Sequence, residues 1–256
     1  MSKIKHWLVP DWPAPANIHA ATTLRTGGVS RGSYSSLNPA NHVSDDNERV
    51  KQNRQIIKEM LELPDEPVWL EQIHSNRAVK AVKTASLQQA DASYTDESGV
   101  VCAVMTADCL PLLVCSEDGI QVAAIHAGWR GLLAGVISNT VAAMQISSNP
   151  LDCKAGAGRD LLVWLGPAIG SDCFEVGAEV RDAFLQKSVA FKNAFREQSS
   201  DKWLADIYQL ARVELAALGI VQVYGGTNCT FTEHERFYSY RKDGQTGRMA
   251  TLIWRE

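Results

Sequence analysis

Residues 100–131 read VVCAVMTADCLPLLVCSEDGIQVAAIHAGWRG, and this stretch decides how the chain is expected to fold. Two apolar runs within it, Val100–Met105 and Ile120–Ile125, predict two strands. A reactive side chain follows each run, Cys109 after the first and His126 directly after the second. A thiol and an imidazole at the ends of neighbouring strands suit either a Cys–His nucleophile pair or a metal site.

Outside this stretch, apolar runs and amphipathic patterns are mixed without regular alternation. Further strands are predicted at Ile18–Leu24, Val68–Ile73, Arg77–Lys83, Leu112–Cys115, Leu161–Leu165, Ile220–Tyr224 and Met249–Trp254. Helices are predicted from Asp45 or Asp46 to about Leu63 and over Gly131–Ile146, Val176–Lys187 and Trp203–Leu218, with a hairpin turn at Glu117-Asp118-Gly119 and a Gly-rich loop at Asn149–Asp160. The mixture favours a mixed α/β sandwich over a doubly wound sheet, and no linker divides residues 1–256, so a single domain is expected.

Composition excludes several classes of protein. The chain has 256 residues, a net charge of −4 and 45% hydrophobic residues, so it lacks the basic excess of a general nucleic-acid binder. No apolar run reaches the roughly 18 residues that span a bilayer, and the N-terminus lacks the apolar core of a secretory signal. Six irregularly spaced cysteines without a C-x-x-C suggest neither a disulfide framework nor a zinc knuckle. A cytoplasmic protein that binds neither nucleic acid nor membrane is expected.

Three residues stand out as candidates for chemistry. Most single cysteines are small buried hydrophobes, and Cys102 and Cys115 fit that description because they lie inside strand patterns. Cys109 does not, and both His74 and His126 follow apolar runs at predicted strand ends. Three nitrogen or sulfur ligands with an open fourth position are typical of a catalytic zinc, which acidifies a bound water to a pKa of about 7. In the alternative reading, Cys109 is a nucleophile, His126 is its base and His74 takes no part.

Three arginines lie in turn-rich contexts with Gly or Ser nearby, namely Arg25, Arg130 and Arg241. Surface arginines are often only solvated. Arg130, however, precedes Gly131 at a predicted helix N-terminus, where backbone N–H groups also favour anions. A phosphate or carboxylate group of a substrate would fit there. Faces on which a ring could stack are offered by Trp129, Tyr34 and Phe237.

Several segments together resemble the laccase-domain family, also described as multicopper polyphenol oxidase-like proteins and as zinc-dependent purine nucleoside phosphorylases. The matching segments are RTGGVS (25–30), SLN and NHV (36–38, 41–43), WLEQIHS (69–75), ADAS (90–93), AVMTADCLPLL (103–113), AAIHAGWRG (123–131), WLGPAIG and FEVG (164–170, 174–177), NCT (228–230) and YSYRKDGQTGRMATLIW (238–254). They cover nearly the whole chain. The sequence departs from the family at Lys242, where a second arginine is common, and at Cys173, which is no family hallmark.

The resemblance implies a fold, a metal and an activity. The implied fold is a four-layer α-β-β-α sandwich like the deamidase domain of cytotoxic necrotising factor toxins. It implies that His74, Cys109 and His126 are catalytic and bind zinc, with copper the less favoured metal. Substrate-binding residues are expected among Arg25, Asn41, His42, Gln72, Arg130 and Arg241. The implied reaction is phosphorolysis of adenosine, inosine, guanosine or methylthioadenosine with phosphate, together with adenosine deamination, by a monomer or homodimer.

Three other functions compete with this expectation. A Cys–His hydrolase or amidase could edit a peptidoglycan precursor, a UDP-muramoyl-linked amino acid, as family members are described to do. A non-enzymatic accessory protein is less favoured. A true laccase is hard to support, because a multicopper site needs roughly ten histidines in H-x-H pairs. The chain has six histidines and no H-x-H.

Overall fold

The computed structural model describes residues 5–83, 87–147 and 160–256. The predicted Gly-rich loop at Asn149–Asp160 lies outside the described residues except for Asp160. The α-helices of the described part are α1 (Asn47–Met60), α2 (Trp129–Ala134), α3 (Val136–Ser147), α4 (Ala178–Lys187), α5 (Ile207–Ala217) and α6 (Tyr240–Asp243), with short 3₁₀ helices at Gly32–Tyr34 and Val189–Ala194. No helix in the described ranges is long and apolar enough to cross a membrane.

The strands form a mixed α/β fold with several sheets. They are β1 (Trp7–Leu8), β2 (Ile18–Thr23), β3 (Leu70–Glu71), β4 (Ala78–Lys80), β5 (Gln88–Gln89), β6 (Ala92–Thr95), β7 (Cys102–Thr106), β8 (Leu110–Ser116), β9 (Val122–Ala127), β10 (Leu161–Leu165), β11 (Glu175–Gly177), β12 (Phe195–Ser199), β13 (Lys202–Ala205), β14 (Gln222–Gly225) and β15 (Met249–Arg255). One main sheet has the order β1-β2-β15-β7 and the other has the order β14-β10-β8-β9-β6-β4. Small sheets join β11-β13-β12 and β3-β5.

Strand alternation explains how the two main sheets pack. Along β8, Leu113 and Cys115 point to one face, where they meet Cys102 and Val104 of the other main sheet in one buried cluster. Successive side chains of a strand point to opposite faces, so a run that is apolar at every position must be covered on both sides. The continuous apolar run of β8 is therefore explained by its place inside the six-stranded sheet, where both of its faces are buried.

The outer faces of both sheets are covered by helices. Leu112 and Val114 pack in a cluster that includes residues of α2, α3, α4 and α5, among them Leu132, Val141 and Leu215. On the other main sheet, the outward residues Val101, Ala103, Met105 and Leu252 pack against Ile57 of α1. The inner cluster and the two outer clusters together bury residues on both faces of the two main sheets.

The structure confirms the hairpin and corrects several predicted boundaries. Strands β8 and β9 pair antiparallel across the predicted turn, with Leu112 opposite Ile125. His126, however, lies within β9 and not after it. The predicted strand Val68–Ile73 shortens to Leu70–Glu71, because the N–H groups of residues 73–75 bind a carboxylate instead of a neighbouring strand. The strand predicted at Arg77–Lys83 shortens to Ala78–Lys80 because β4 pairs with only three residues of β6.

Three helix predictions are partly wrong: one predicted helix is interrupted, and the first residues of the other two belong to strands. The helix predicted at Gly131–Ile146 is two helices, because Gly135 adopts a left-handed φ of +85° that ends α2. Residues 203–205 of the helix predicted at Trp203–Leu218 lie in β13, and α5 begins only after Asp206, whose side chain accepts a hydrogen bond from the Gln209 N–H. Likewise Val176, predicted helical, lies in β11, paired with Trp203. Backbone pairing between these two segments overrides their helical pattern.

Candidate metal centre

Three candidate ligands converge where β7, β8 and β9 meet. Cys109 lies in the tight connection between β7 and β8, and Leu110 pairs with Ala127 beside His126. His74 arrives from the segment after β3. The nitrogen and sulfur atoms of this set all lie within 4.8 Å of one another, and the Cys109 Sγ to His74 Nε2 distance is 3.8 Å. The sequence prediction that these residues share one place is confirmed.

The donor set fits zinc. Zn–N and Zn–S bonds of about 2.0–2.3 Å in a tetrahedral site put neighbouring ligand atoms roughly 3.3–3.6 Å apart. The 3.8 Å separation between Cys109 and His74 is close to this range. The imidazoles of His74 and His126 meet edge to face with ring centroids 4.8 Å apart, so that both rings border the same space. Three ligands leave a fourth position for water or substrate, as in catalytic zinc sites.

Asp91, which had no predicted role, positions two of the ligands, His74 and His126. Its carboxylate is fully buried and lies 2.8 Å from Nδ1 of His126. The same carboxylate accepts hydrogen bonds from the backbone N–H of His74 at 3.0 Å and from the N–H and hydroxyl of Ser75 at 2.6 and 2.7 Å. A carboxylate on one ring nitrogen fixes the tautomer and directs the other nitrogen to the metal. His126 therefore presents Nε2 to the site.

Two backbone positions at the site adopt left-handed conformations that side chains rarely occupy. His74 has a φ of +59° and Asp108 a φ of +90°. Asp108 is held by its own carboxylate, which accepts hydrogen bonds from the Thr230 hydroxyl and the Arg241 N–H, both at 2.6 Å. Its carbonyl accepts from the Ile169 N–H at 3.0 Å. Strain of about 1–3 kcal/mol per such residue persists only where the surroundings fix it, and it is common at functional sites.

The electrostatics of the set favour a thiolate beside an imidazolium. Burial opposes charge on Cys109, but His126 and His74 outweigh it and lower the pKa of Cys109 to about 6. Burial also lowers the pKa of His126, but Cys109 and Asp91 outweigh it and raise that pKa to about 9. A thiolate is the form that binds a metal, and it is also the form that attacks an electrophile. The charge state of Cys109 is therefore compatible both with metal binding and with nucleophilic attack.

Gly128 gives the ligands room. A Cβ built at this position would lie 3.0 Å from Cys109 Sγ and 3.0 Å from Cδ2 of His74. Side chains larger than hydrogen would push both ligands away from their places. This close approach explains a glycine directly before α2, in the HAGWRG segment.

The ligands lie in a cavity of about 550 Å³. Four of the six predicted substrate-binding residues line it, namely His42, Gln72, Arg130 and Arg241. The Gln72 side chain is itself engaged, since its amide donates to the Met105 carbonyl at 2.8 Å and accepts from the Met105 N–H at 2.7 Å. Burial first, and then the charges of Arg248 and Arg54, lower the pKa of His42. His42 is therefore biased toward the neutral imidazole.

Arg25 and Asn41 do not line this cavity. Arg25 donates to the carbonyls of Ser35 and His234 and lies over the Tyr238 ring, so its guanidinium joins three loop segments. Of the predicted stacking residues, Phe237 is fully buried in a core cluster, whereas Trp129 lines the cavity. A substrate-binding role for Arg25 or Asn41 stays a prediction.

Three further residues of the cavity wall had no predicted role, namely Phe174, Tyr240 and Arg248. Arg248 precedes β15, and Met249 pairs with Thr106 at the end of β7, so the sheet brings it beside the Cys109 connection. The one signal for Arg248 and Asp91 in the sequence was their presence in the segments GRMATLIW and ADAS that match the family.

The chain is similar to known proteins over nearly its whole length. A family model described as "Multi-copper polyphenol oxidoreductase laccase" matches residues 19–256. "Purine nucleoside phosphorylase YfiH" of Shigella flexneri is 49% identical over 255 residues, covering 99% of both chains. "Purine nucleoside phosphorylase PA4543" of Pseudomonas aeruginosa is 49% identical over 249 residues, covering 97% of this chain and 98% of the relative.

Solved structures agree with the sequence relatives. A crystal structure from Neisseria meningitidis is 49% identical and superimposes with a TM-score of 0.91, covering 98% of this chain and 100% of that one. YlmD of Geobacillus stearothermophilus is 31% identical, with a TM-score of 0.90 and coverage of 100% and 98%. The chain therefore belongs to the multi-copper polyphenol oxidoreductase laccase family, a family of enzymes in which relatives at 49% identity are named purine nucleoside phosphorylases.

Proposed function

We propose that this protein is a zinc-dependent purine nucleoside phosphorylase. The observation that carries the proposal is the His74, Cys109 and His126 group, whose donor atoms lie within 4.8 Å of one another in a cavity of about 550 Å³. Relatives with 49% identity over 99% of the chain bear the name of this activity. Zinc is the metal that the donor set favours, because thiolate and imidazole together suit it better than magnesium or calcium.

The cavity walls offer complementary groups for a nucleoside and phosphate. Arg130 is exposed, with its guanidinium 4.3 Å from the Trp129 ring centroid, and Arg241 and Arg248 also line the cavity. Arginines bind phosphate through paired N–H donors, which is why these three are the proposed phosphate-binding groups. Phe174, Trp129 and Tyr240 offer ring faces for the purine. His74, Cys109 and His126 would hold the zinc, which would act as a Lewis acid beside these groups.

The direct test is a product assay with inosine, with and without phosphate, on protein of known zinc content. Base and ribose 1-phosphate are expected only with phosphate. Cys109→Ala should lose zinc and at least about 100-fold in rate, as expected when one of three ligands is missing. Cys173→Ala is the matched control, because this partly exposed cysteine lies outside the ligand group. Full nucleoside cleavage by zinc-free protein would refute the proposal.

The phosphate site has its own test. Arg130→Ala removes hydrogen bonds to a charged group worth about 1.5–3 kcal/mol, so KM for phosphate should rise roughly 10–100-fold. Arg196→Ala is the control, because Arg196 is exposed, pairs with the exposed Asp172 and does not line the cavity. An unchanged KM for phosphate in Arg130→Ala would assign phosphate to Arg241 or Arg248.

We propose adenosine, inosine, guanosine and methylthioadenosine as substrates, with deamination of adenosine as a second reaction at the same site. The single cavity that holds the ligand group supports a shared site for both reactions. If so, Cys109→Ala should abolish phosphorolysis and deamination together. Loss of only one activity would separate them.

A second candidate function is a Cys–His hydrolase that edits a UDP-muramoyl-linked amino acid. Its supporting observation is the Cys109 thiolate beside His126, with the pKa of Cys109 lowered to about 6 despite burial. In this reading Cys109 attacks the amide carbonyl and His126 donates a proton to the leaving amine. Covalent trapping of Cys109 by an electrophilic substrate analogue, with turnover unaffected by chelators, would favour it over the zinc enzyme.

We also infer the four-layer α-β-β-α order that the resemblance implied. It is supported by one cluster between the two main sheets and by separate clusters that pair α1 with one outer face and α2–α5 with the other.

A further inference from the structure

Two partly exposed cysteines outside the metal centre, Cys173 and Cys229, flank one residue, Gly170. Cys173 closes a turn in which its N–H donates to the Gly170 carbonyl at 3.0 Å. The N–H of the same Gly170 points to Cys229 Sγ at 3.2 Å. A Cβ on Gly170 would lie 3.0 Å from that sulfur, so no side chain separates the turn from Cys229. Both thiols are free, and neither belongs to the ligand group.

The surroundings of Cys229 favour its thiolate. Burial alone would raise its pKa, but the Thr232 side chain and the backbone N–H groups of Thr232, Gly170 and Phe231 outweigh burial and lower it. Cys173 is shifted the other way, because burial and the adjacent Cys229 sulfur raise its pKa to about 11. One sulfur of the pair is therefore prepared to be a nucleophile while its neighbour stays a protonated thiol.

Small reagents can reach Cys229. It lines a second cavity of about 290 Å³, distinct from the metal centre, together with Gly170, Ser171 and Arg212. By contrast, Cys102 and Cys115 are fully buried in the core, and burial raises the pKa of each to about 12. The described cysteines thus divide into an inert buried pair, a metal-ligand candidate and an accessible adjacent pair.

We propose that Cys173 and Cys229 form a redox-active dithiol that a hydroperoxide oxidises to a reversible disulfide. In the first step the Cys229 thiolate attacks the terminal hydroperoxide oxygen, so an S–O bond forms and the O–O bond breaks. The sulfenic acid keeps the peroxide hydrogen, and the alkoxide or hydroxide that leaves takes a proton from solvent to become an alcohol or water. In the second step Cys173 attacks the Cys229 sulfur, so an S–S bond forms, the S–O bond breaks and water leaves with the Cys173 proton. The two thiols lose two electrons, and the peroxide gains them.

The position of the pair connects it to the metal centre. Thr230, next to Cys229, donates to the Asp108 carboxylate at 2.6 Å, and Ile169 donates to the Asp108 carbonyl at 3.0 Å. Asp108 fixes the backbone directly before Cys109. A disulfide would therefore join the two segments that hold Asp108 in its left-handed conformation.

Peptide mapping of the zinc-loaded protein tests the proposal. Trypsin places Cys173 in the peptide 160–181 and Cys229 in 213–236, while Cys102, Cys109 and Cys115 lie together in 84–130 and Cys153 lies in 131–154. After treatment with hydrogen peroxide and alkylation, the expected product is 160–181 joined to 213–236, two hydrogens lighter than the sum. Dithiothreitol should restore both free peptides.

Two single variants distinguish the roles of the cysteines. In Cys173→Ser, Cys229 should accumulate as a sulfenic acid that dimedone traps; in Cys229→Ser, Cys173 should stay unmodified at the same peroxide dose. The proposal is overturned if wild-type protein gives dimedone-trapped or overoxidised Cys229 without the linked peptide. Linkage of either cysteine to peptide 84–130 or 131–154 as the main product would overturn it equally.

Discussion

Replacing Asp91 by asparagine tests whether a buried carboxylate, and not the ligands alone, forms the metal centre. Asp91 has no exposed surface, and one of its oxygens lies 2.8 Å from Nδ1 of His126. The other oxygen accepts from the N–H and hydroxyl of Ser75 at 2.6 and 2.7 Å. Asparagine has the same shape, but one of its two acceptors becomes an NH₂ donor.

Either orientation of the asparagine amide has a cost. If the carbonyl faces His126, the NH₂ group meets the Ser75 N–H, and a hydrogen bond to a charged acceptor worth about 1.5–3 kcal/mol is lost. If the NH₂ group faces His126, it donates to Nδ1 and places the imidazole proton on Nε2, the atom that the metal needs. Loss of such a supporting carboxylate typically lowers metal affinity about 10–100-fold, equal to roughly 1.4–2.7 kcal/mol.

The assay is zinc binding in competition with a chromogenic chelator, together with urea unfolding of the zinc-free protein. We expect Asp91→Asn to weaken zinc binding about 10–100-fold and to destabilise the zinc-free fold by about 1.5–3 kcal/mol. Asp182→Asn is the matched control, since Asp182 is exposed and pairs with its partly exposed neighbour in sequence, Arg181, so both quantities should stay near wild type. Zinc affinity within twofold of wild type in a folded Asp91→Asn variant would refute the positioning role.

Three further outcomes are expected. Gly128→Ala should lower zinc affinity at least about tenfold, because its Cβ would lie 3.0 Å from Cys109 Sγ and from a His74 ring atom, and chelator competition would detect this. Glu214→Gln should raise the urea midpoint at pH 8 but not at pH 4. Burial raises the folded-state pKa of Glu214, so the stability that the protonated side chain contributes is present at low pH and is lost as pH rises through the folded-state pKa. Alkylation of Cys102 and Cys115 at pH 8 should be at least about a hundredfold slower in the native than in the urea-unfolded protein, because burial raises the pKa of both to about 12; comparable rates would contradict their core position.

The fold was predictable where the local pattern and the tertiary structure agree. The central strands β8, β9 and β10 are apolar at successive positions, and such runs have no stable solution except burial on both faces. Trp203–Ala205 was mistaken for helix because its apolar residues also match a helical stripe. The segment is a strand because it pairs antiparallel with Phe195–Ser199 on one side and with Glu175–Gly177, nearly thirty residues earlier in the chain, on the other. The periodicity of its own apolar residues shows neither pairing.

The site was predictable for those residues whose side-chain type alone suggests metal binding or catalysis. Cys109, His74 and His126 are conspicuous because few residue types bind zinc, and each follows an apolar run. Asp91 is not conspicuous, because the sequence does not distinguish an aspartate that accepts hydrogen bonds from backbone N–H groups from an aspartate that is only solvated. Arg248 was missed because only the pairing of Met249 with Thr106 brings it to the cavity.

The ligand geometry depends on backbone conformations that the residue types at these positions do not predict. His74 and Asp108 are not glycines, yet both hold a positive φ at a cost of about 1–3 kcal/mol each. Hydrogen bonds to a carboxylate hold both conformations. The Asp91 carboxylate accepts from the backbone of residues 74 and 75, and the Asp108 carboxylate accepts from the Arg241 N–H. The cost is therefore met during folding and not on metal binding. Because the donor atoms already lie within 4.8 Å of one another, a metal can bind with little rearrangement of the chain.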